Sequence, residues 1–269
     1  IMVYNQIGIR PFYIECSAAK VQLEKDMNTF TTAIVTGASS GIGRELALCL
    51  SQRGLQVHAL ARTDTLSGEG LPNLKSHIVD IRDTPKLHSV LSGINADILV
   101  NNAGIAPADA IGKLDSNDVS NIINTNLTSV FQILNQILPQ MIEAKKGHII
   151  NIGSVAGYNP SMSSIYGATK AAIHMMTKNL RLETKGTGIR VSEISAGIVD
   201  TNIIENALKD PEAAANAKKD FGIKILNTVD IAEAILFALN APLHVNIGSI
   251  EITPVEQSFG ASNLTPASI

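Results

Sequence analysis

The chain has 269 residues, of which 45% are hydrophobic and 17% charged, a composition that suits one α/β domain with a large buried core. Its net charge of −3, without a long basic run, argues against nucleic acid as a partner. No apolar stretch approaches the roughly 20 residues that a membrane span needs, so the expected compartment is the cytoplasm.

Residues 1–28 lack a sustained hydrophobic period, and the apolar run IGIRPFYI is broken by arginine and proline. They have neither the basic start and apolar core of a secretory signal nor the acid-poor composition of a transit peptide. With Met27 shortly before the first regular strand, they are expected to be an extension or leader outside the fold. From residue 29 to 257 strands and helices alternate. Strands are predicted at 31–36, 55–61, 75–81, 97–104, 147–154, 188–197 and 248–254. Helices are predicted after residue 43, through 85–91, around 116–144, from the Tyr166 segment to about 185, and over 228–240. Apolar strands with helical crossovers imply a doubly wound, Rossmann-type parallel sheet of about seven strands, covered on both faces. In such a sheet ligands sit beyond the carboxyl ends of the strands. Residues 202–227, rich in Ala, Asn and Lys, are read as a small helical lid on a single domain, and 258–269 as a tail.

The two cysteines, Cys16 and Cys49, belong to no CxxC or Cys/His cluster, so neither structural zinc nor a disulfide framework nor another metal site is expected. Chemistry is suggested elsewhere. TGASSGIG at 36–43 places Gly37, Gly41 and Gly43 between the first strand and the first helix. Glycine there permits a tight turn and lets a pyrophosphate approach main-chain N–H groups and a helix N-terminus. A second constellation lies in SVAGYNPSMSSIYGATK, 154–170, where Tyr166 and Lys170 fall one helical turn apart on one face. A phenol, with its ordinary pKa of about 10, is a poor proton donor at neutral pH. An ammonium about 4 Å away, at an effective dielectric near 20, favours the phenolate by roughly 4 kcal/mol, or about three pKa units. Ser154 supplies a hydroxyl to hold a carbonyl oxygen beside that phenol.

TGASSGIG, then NNAG at 101–104, Asn126 in NTNL, and Ser154 with Tyr166-xxx-Lys170 together resemble the short-chain dehydrogenase/reductase family over about residues 30–257. The resemblance implies a tetrad of Asn126, Ser154, Tyr166 and Lys170. In it Tyr166 is general acid in carbonyl reduction and base in alcohol oxidation, and Lys170 lowers the phenol pKa and bonds the nicotinamide ribose. Ser154 holds the substrate oxygen, and Asn126 keeps a water in a proton path from Lys170. It further implies a dinucleotide held by Gly37, Ser39, Ser40, Gly41, Ile42 and Gly43, by Asn102, Ala103 and Gly104, and by Tyr166 and Lys170. Asp80, with Ile81 beside it, matches the family position that contacts the adenine amino group, although an aspartate ending a strand is otherwise a helix cap.

At the end of the second strand an acidic residue would accept from the ribose 2′-OH of NAD, whereas an arginine welcomes a 2′-phosphate. Here Ala61 stands at the acidic position and Arg62 follows it, so NADP(H) is favoured over NAD(H). One departure is Ser195-Ala196-Gly197, where the family carries proline in place of Ala196, which leaves the rigidity of the loop open. Gly197, Ile198 and Thr201 keep the spacing that meets the nicotinamide carboxamide. The substrate, a small ketone, aldehyde or hydroxy acid, is expected against Ser154, Tyr158, Asn159, Tyr166, Ala196 and Ile203, with Ile204 and Phe221 from the lid. Relatives assemble as homotetramers or homodimers through the helices after the fourth and fifth strands, where Ala171, Ala172, Ile173, Met175 and Met176 serve either a seam or the core. The rival to an NADPH-dependent oxidoreductase is a catalytically silent dinucleotide-binding regulator on the same fold. It has no chemical reason to keep all four tetrad residues.

Overall fold

A computed structural model of the protein describes residues 30–107, 109–161, 163–208 and 210–257. The expected leader and the tail over 258–269 lie outside them. Among the described residues, β1 (Thr32–Thr36), β2 (Gln56–Ala61), β3 (Leu74–Ile78), β4 (Ile98–Asn101), β5 (Gly147–Ile152), β6 (Ile189–Ala196) and β7 (Ser249–Ile252) form one parallel sheet. Their order is β3-β2-β1-β4-β5-β6-β7. The chain winds outward from β1 to β3, returns to lay β4 beside β1, and winds the other way. The crevice where the order reverses, beyond Thr36 and Asn101, is where this topology opens a ligand site.

Two apolar clusters cover the sheet. Along β1, Ala33 and Val35 face one cluster and Ile34 the other, the alternation a pleated strand imposes. On the first face lie α1 (Gly41–Gln52) and α8 (Thr228–Asn240), which bury Leu46, Leu50, Ile231 and Ile235. On the second lie α2 (Thr84–Leu91), α4 (Ser129–Ala144) and α5 (Ser164–Glu183), with Leu87, Ile133, Ile137 and Ile173 inward. Each such fully buried aliphatic side chain contributes roughly 1.5–3 kcal/mol. Partly buried Cys49 packs against the first cluster, in keeping with a core thiol. Of the lid segment, α6 (Ile203–Leu208) and α7 (Pro211–Asp220) are helical. No helix among the described residues is long and apolar enough to cross a membrane.

Two departures from the predicted elements bear on function. The helical region 116–144 is interrupted: after α3 (Ser116–Ile123) the backbone makes one wide turn of π-helix over Asn124–Thr128 before α4 begins. The extra residue in that turn swings Asn126 into the interior, where it is 2% exposed. The third strand ends at Ile78 rather than 81, because Asp80 starts a turn. Its carbonyl accepts from Asp83 N–H at 2.9 Å and its carboxylate from Arg82 N–H at 3.0 Å.

Candidate active site

A cleft of ≈ 380 Å³ runs along the carboxyl edge of the sheet, lined by the ends of β1, β2, β4, β5 and β6 and by the lid. Its floor is the glycine-rich turn. Gly37 sits at φ +67°, where a side chain is disfavoured, and a Cβ there would come within 2.8 Å of Ala103 Cα. Thr36 ties the turn to the NNAG segment, since its hydroxyl accepts from Asn102 and Ala103 N–H at 3.0 Å each. Asn102 Nδ2 in turn donates to Thr36 O at 2.8 Å. Ser39, Ser40, Gly41 and Ile42 line the cleft together with Asn102, Ala103 and Gly104. Gly43 is not in the lining; it lies behind the turn against Gly37 and Asn102. With the N-terminus of α1 opening at Gly41, the arrangement is a backbone cradle of the kind that takes a pyrophosphate.

At one end of the cleft Arg62 is exposed and Asp80 and Ile81 form the wall. Arg82, which the sequence reading passed over, grips Asp80 through Nε–Oδ1 at 3.0 Å and Nη2–Oδ2 at 2.6 Å, and donates through Nη1 to Asn121 Oδ1 at 2.6 Å. These bonds hold the Asp80 carboxyl below its usual range and the guanidinium above its own. Asp80 is thus a fixed acceptor rather than a helix cap: the cap of α2 is Asp83, which accepts from Lys86 N–H. The Asp80-x-Arg82 spacing was the available clue.

At the other end stand Ser154, Tyr166 and Lys170. Ser163 caps α5 and accepts from Tyr166 N–H at 3.3 Å, which starts the helix two residues before the tyrosine and turns Tyr166 and Lys170 to one side. Lys170 is 6% exposed, donates to Ile152 O at 2.8 Å, and lies 5.7 Å from the Tyr166 ring centre. The expectation of an ammonium that acidifies the phenol is not met in this geometry. Burial pushes the Tyr166 phenol above its ordinary value, opposed only by the bond with Ser154, although the ring itself remains partly open to the cleft. Burial likewise pulls Lys170 down to about 8, with Glu193 opposing. Desolvation acts on both charged forms here, and the lysine spends a donor on a carbonyl instead of the phenol.

Asn126 stands behind the cleft wall rather than in it. Its Oδ1 accepts from Ile105 N–H at 2.8 Å, and Nδ2 donates to Ile105 O at 2.9 Å and Thr169 Oγ1 at 3.1 Å. The side chain clamps the loop after β4 to α5 at Thr169, the residue before Lys170.

The 195–201 segment resolves the missing proline. The ladder runs through Ala196, paired with Ile252, and Gly197 N–H donates to Ile252 O at 2.8 Å. Ile198 N–H donates to Gln257 Oε1 at 2.9 Å, and Ile198 O accepts from Leu226 N–H at 3.0 Å. Strand pairing therefore ties the segment down where the family carries a proline ring. The N–H of Ile198, a residue expected to meet the carboxamide, is engaged by the Gln257 amide, a contact across 59 positions that no local pattern announces. Gly197, Ile198 and Thr201 still line the cleft, as do Ala196, Ile203, Ile204 and Phe221, joined by Asn202 and Asn206, which the sequence reading did not single out. Tyr158 and Asn159 are not brought to the wall. The short turn Val155–Gly157 carries them away, Asn159 N–H donating to Val155 O at 2.9 Å and the Tyr158 hydroxyl to Glu251 Oε2 at 2.8 Å. Among the described residues no three His, Cys, Asp or Glu side chains gather as metal ligands.

A short chain dehydrogenase family model matches residues 31–212. An uncharacterised short-chain type dehydrogenase/reductase of Sinorhizobium fredii is 35% identical over 246 residues, 90% of this chain and 98% of its own length. An NADP-dependent 3-hydroxy acid dehydrogenase of Escherichia coli is 34% identical over 242 residues, 86% of this chain and 98% of its own. Among solved structures, the closed form of a serine dehydrogenase complexed with NADP+ is 33% identical with a TM-score of 0.81, covering 87% of this chain and 99% of that one. With sequence and fold matching over most of its length, the chain is an oxidoreductase of the short-chain dehydrogenase family.

Proposed function

We propose that the protein is an NADPH-dependent oxidoreductase that interconverts a small ketone, aldehyde or hydroxy acid and its partner alcohol or keto form, with Tyr166 as general acid and base. The observation that carries this reading is the convergence of Ser154, Tyr166 and Lys170 on a cleft whose other end is a pyrophosphate-shaped backbone cradle with Arg62 at its rim. The cofactor fits what is present: Gly37 leaves space that a Cβ would fill, main-chain N–H groups at the start of α1 suit an anion, and Asp80 is fixed to accept from an amino group. When bound, NADPH supplies the hydride. Ser154 holds the carbonyl oxygen, and Tyr166, kept protonated by its surroundings, donates the proton to that oxygen in reduction. Lys170 presents its remaining N–H donors to the ribose. The lid residues Ile203, Ile204 and Phe221 cover the pocket and exclude water, and the amides of Asn202 and Asn206 give a hydroxy or keto acid polar partners. The NADP-dependent relatives that act on 3-hydroxy acids and serine support this substrate class.

Loss of NADPH absorbance with a panel of ketones, aldehydes and keto acids tests the reading, and a silent panel favours the regulator. Arg62→Asp exchanges a charge-assisted bond, worth about 1.5–3 kcal/mol, for repulsion of the 2′-phosphate. NADPH affinity should fall by about 10- to 100-fold while NADH is gained. Retained NADPH preference would remove Arg62 from the site.

A homodimer or homotetramer in the cytoplasm completes the proposal. Phe131 on α4 and Met175 on α5 are 50% and 55% exposed, large apolar groups that a seam between copies would cover. Light scattering that returned the mass of a single chain at micromolar concentration would count against it.

A further inference from the structure

Beneath the catalytic end lies a charged group that the mechanism above does not use. Glu193, on β6, is 1% exposed. Its Oε2 lies 2.6 Å from His174 Nδ1 and its Oε1 accepts from Ser195 Oγ at 2.7 Å. Oε1 also occupies the space where a Cβ on Gly153 would stand, so the carboxylate is wedged under the backbone that joins Ile152 to Ser154. Lys170 reaches the same strand end, with Nζ on Ile152 O at 2.8 Å, and His174 is the next turn of α5 after Lys170. Cation and carboxylate therefore sit against adjacent residues at the end of β5, Ile152 and Gly153, both out of water.

We propose that Glu193 is a positioning residue of this site: held by His174 and Ser195 under Gly153, its carboxylate is the buried counter-charge to the Lys170 ammonium. A buried ammonium with only a carbonyl partner tends to give up its proton. Burial pulls Lys170 down to about 8, and Glu193 is the charge that opposes the fall. The other titratable groups around the carboxylate are His174 on α5, Tyr158 on the turn after β5, and Glu251 on β7, whose carboxylate accepts from the Tyr158 hydroxyl. The register partner on β5, Asn151, is neutral. The inference deepens the proposed function, because it concerns the charge that Lys170 carries beside Tyr166. Lysine is charged below its pKa, so activity that needs the ammonium is present below about 8 and lost as pH rises through it.

The test is a pH titration by NMR of the protein labelled with 13Cε-lysine, the Lys170 resonance being assigned by its loss in Lys170→Met. Glu193→Gln keeps the size and an amide oxygen to accept from His174, with its amide nitrogen able to donate to Ser195 Oγ, but removes the charge. The Lys170 midpoint should fall by about one pH unit, a tenfold change in the ammonium-to-amine ratio. Glu193→Asp, which loosens the packing but keeps the charge, should stay nearer the parent. Gly153→Ala, which keeps Glu193 but displaces its carboxylate, should move the midpoint the same way as Glu193→Gln, and it decides the matter where the glutamine variant does not fold. The alkaline limb of reductase activity should shift in parallel. An unchanged Lys170 midpoint in Glu193→Gln and Gly153→Ala would overturn the inference. The midpoint needs no turnover, so an active Tyr166→Phe enzyme would refute the acid–base reading and leave this one standing.

Discussion

A Tyr166→Phe variant is expected to lose ~10²–10⁴-fold in carbonyl reduction while it binds NADPH nearly as the parent does. The substitution deletes one hydroxyl from a ring whose position is set by other parts of the chain. Ser163 caps the helix that carries it, and Lys170, one turn on, is anchored independently to Ile152 O. Among the described residues the bond removed at the phenol is the one with Ser154, so the cradle at the far end of the cleft should be untouched. Because burial raises the phenol above its ordinary value, the lost group is a protonated donor at neutral pH, and no other described phenol, imidazole or carboxyl lines that end of the cleft. The rate of NADPH oxidation with any carbonyl that the parent reduces gives the loss, and quenching or enhancement of NADPH fluorescence gives the affinity. Full activity with a bare ring would sink the acid–base assignment.

Gly43→Ala should damage the cofactor end as severely. A Cβ at this position would stand 2.5 Å from Gly37 O and closer still to Asn102 Nδ2. Neither neighbour is free to give way. Gly37 O belongs to the turn backbone, and Asn102 Nδ2 donates to Thr36 O at 2.8 Å and Gly37 O at 3.3 Å. Forcing them apart costs about 1–3 kcal/mol in overpacking and about 1 kcal/mol for the bridge that breaks. It also moves the main-chain donors of the cradle. Urea unfolding should register the instability, and NADPH Kd should rise by about tenfold or more. Gly93, with no heavy atom within 4 Å of its would-be Cβ, is the control, and alanine there should change neither quantity. Equal behaviour of the two variants would mean that Gly43 is no part of the cradle's support.

The two predictions also differ in how far a reader of the sequence alone could have gone. Gly43 was legible as part of a phosphate-binding turn, because a βα turn is local and its glycines announce themselves. What the sequence could not say is that Gly43 serves as a wall behind the turn, with Asn102, just past the end of β4, pressed against it. Tyr166 and Lys170 were likewise legible as a pair on one helical face, since four residues make one turn in any helix. The direction in which burial moves the phenol was not, because it depends on the protein atoms that surround the ring. Tyr158 and Asn159 show the limit of carrying a pattern forward from a nearby serine. A turn of three residues was enough to keep both out of the cleft wall and to bring the Tyr158 hydroxyl to Glu251 on β7.

Periodicity and local turn chemistry are properties of neighbouring residues. The order of strands and helices, the doubly wound class, the glycine cradle and the tyrosine–lysine pair could therefore all be read from the chain itself. The clamp of Asn126 on Ile105, the grip of Arg82 on Asn121, the bond of Gln257 to Ile198 and the wedge of Glu193 under Gly153 join residues 21 to 59 positions apart. Such pairs are created by the crossovers of the sheet. Their strength is set by how much water the packing removes, and only the folded chain decides that.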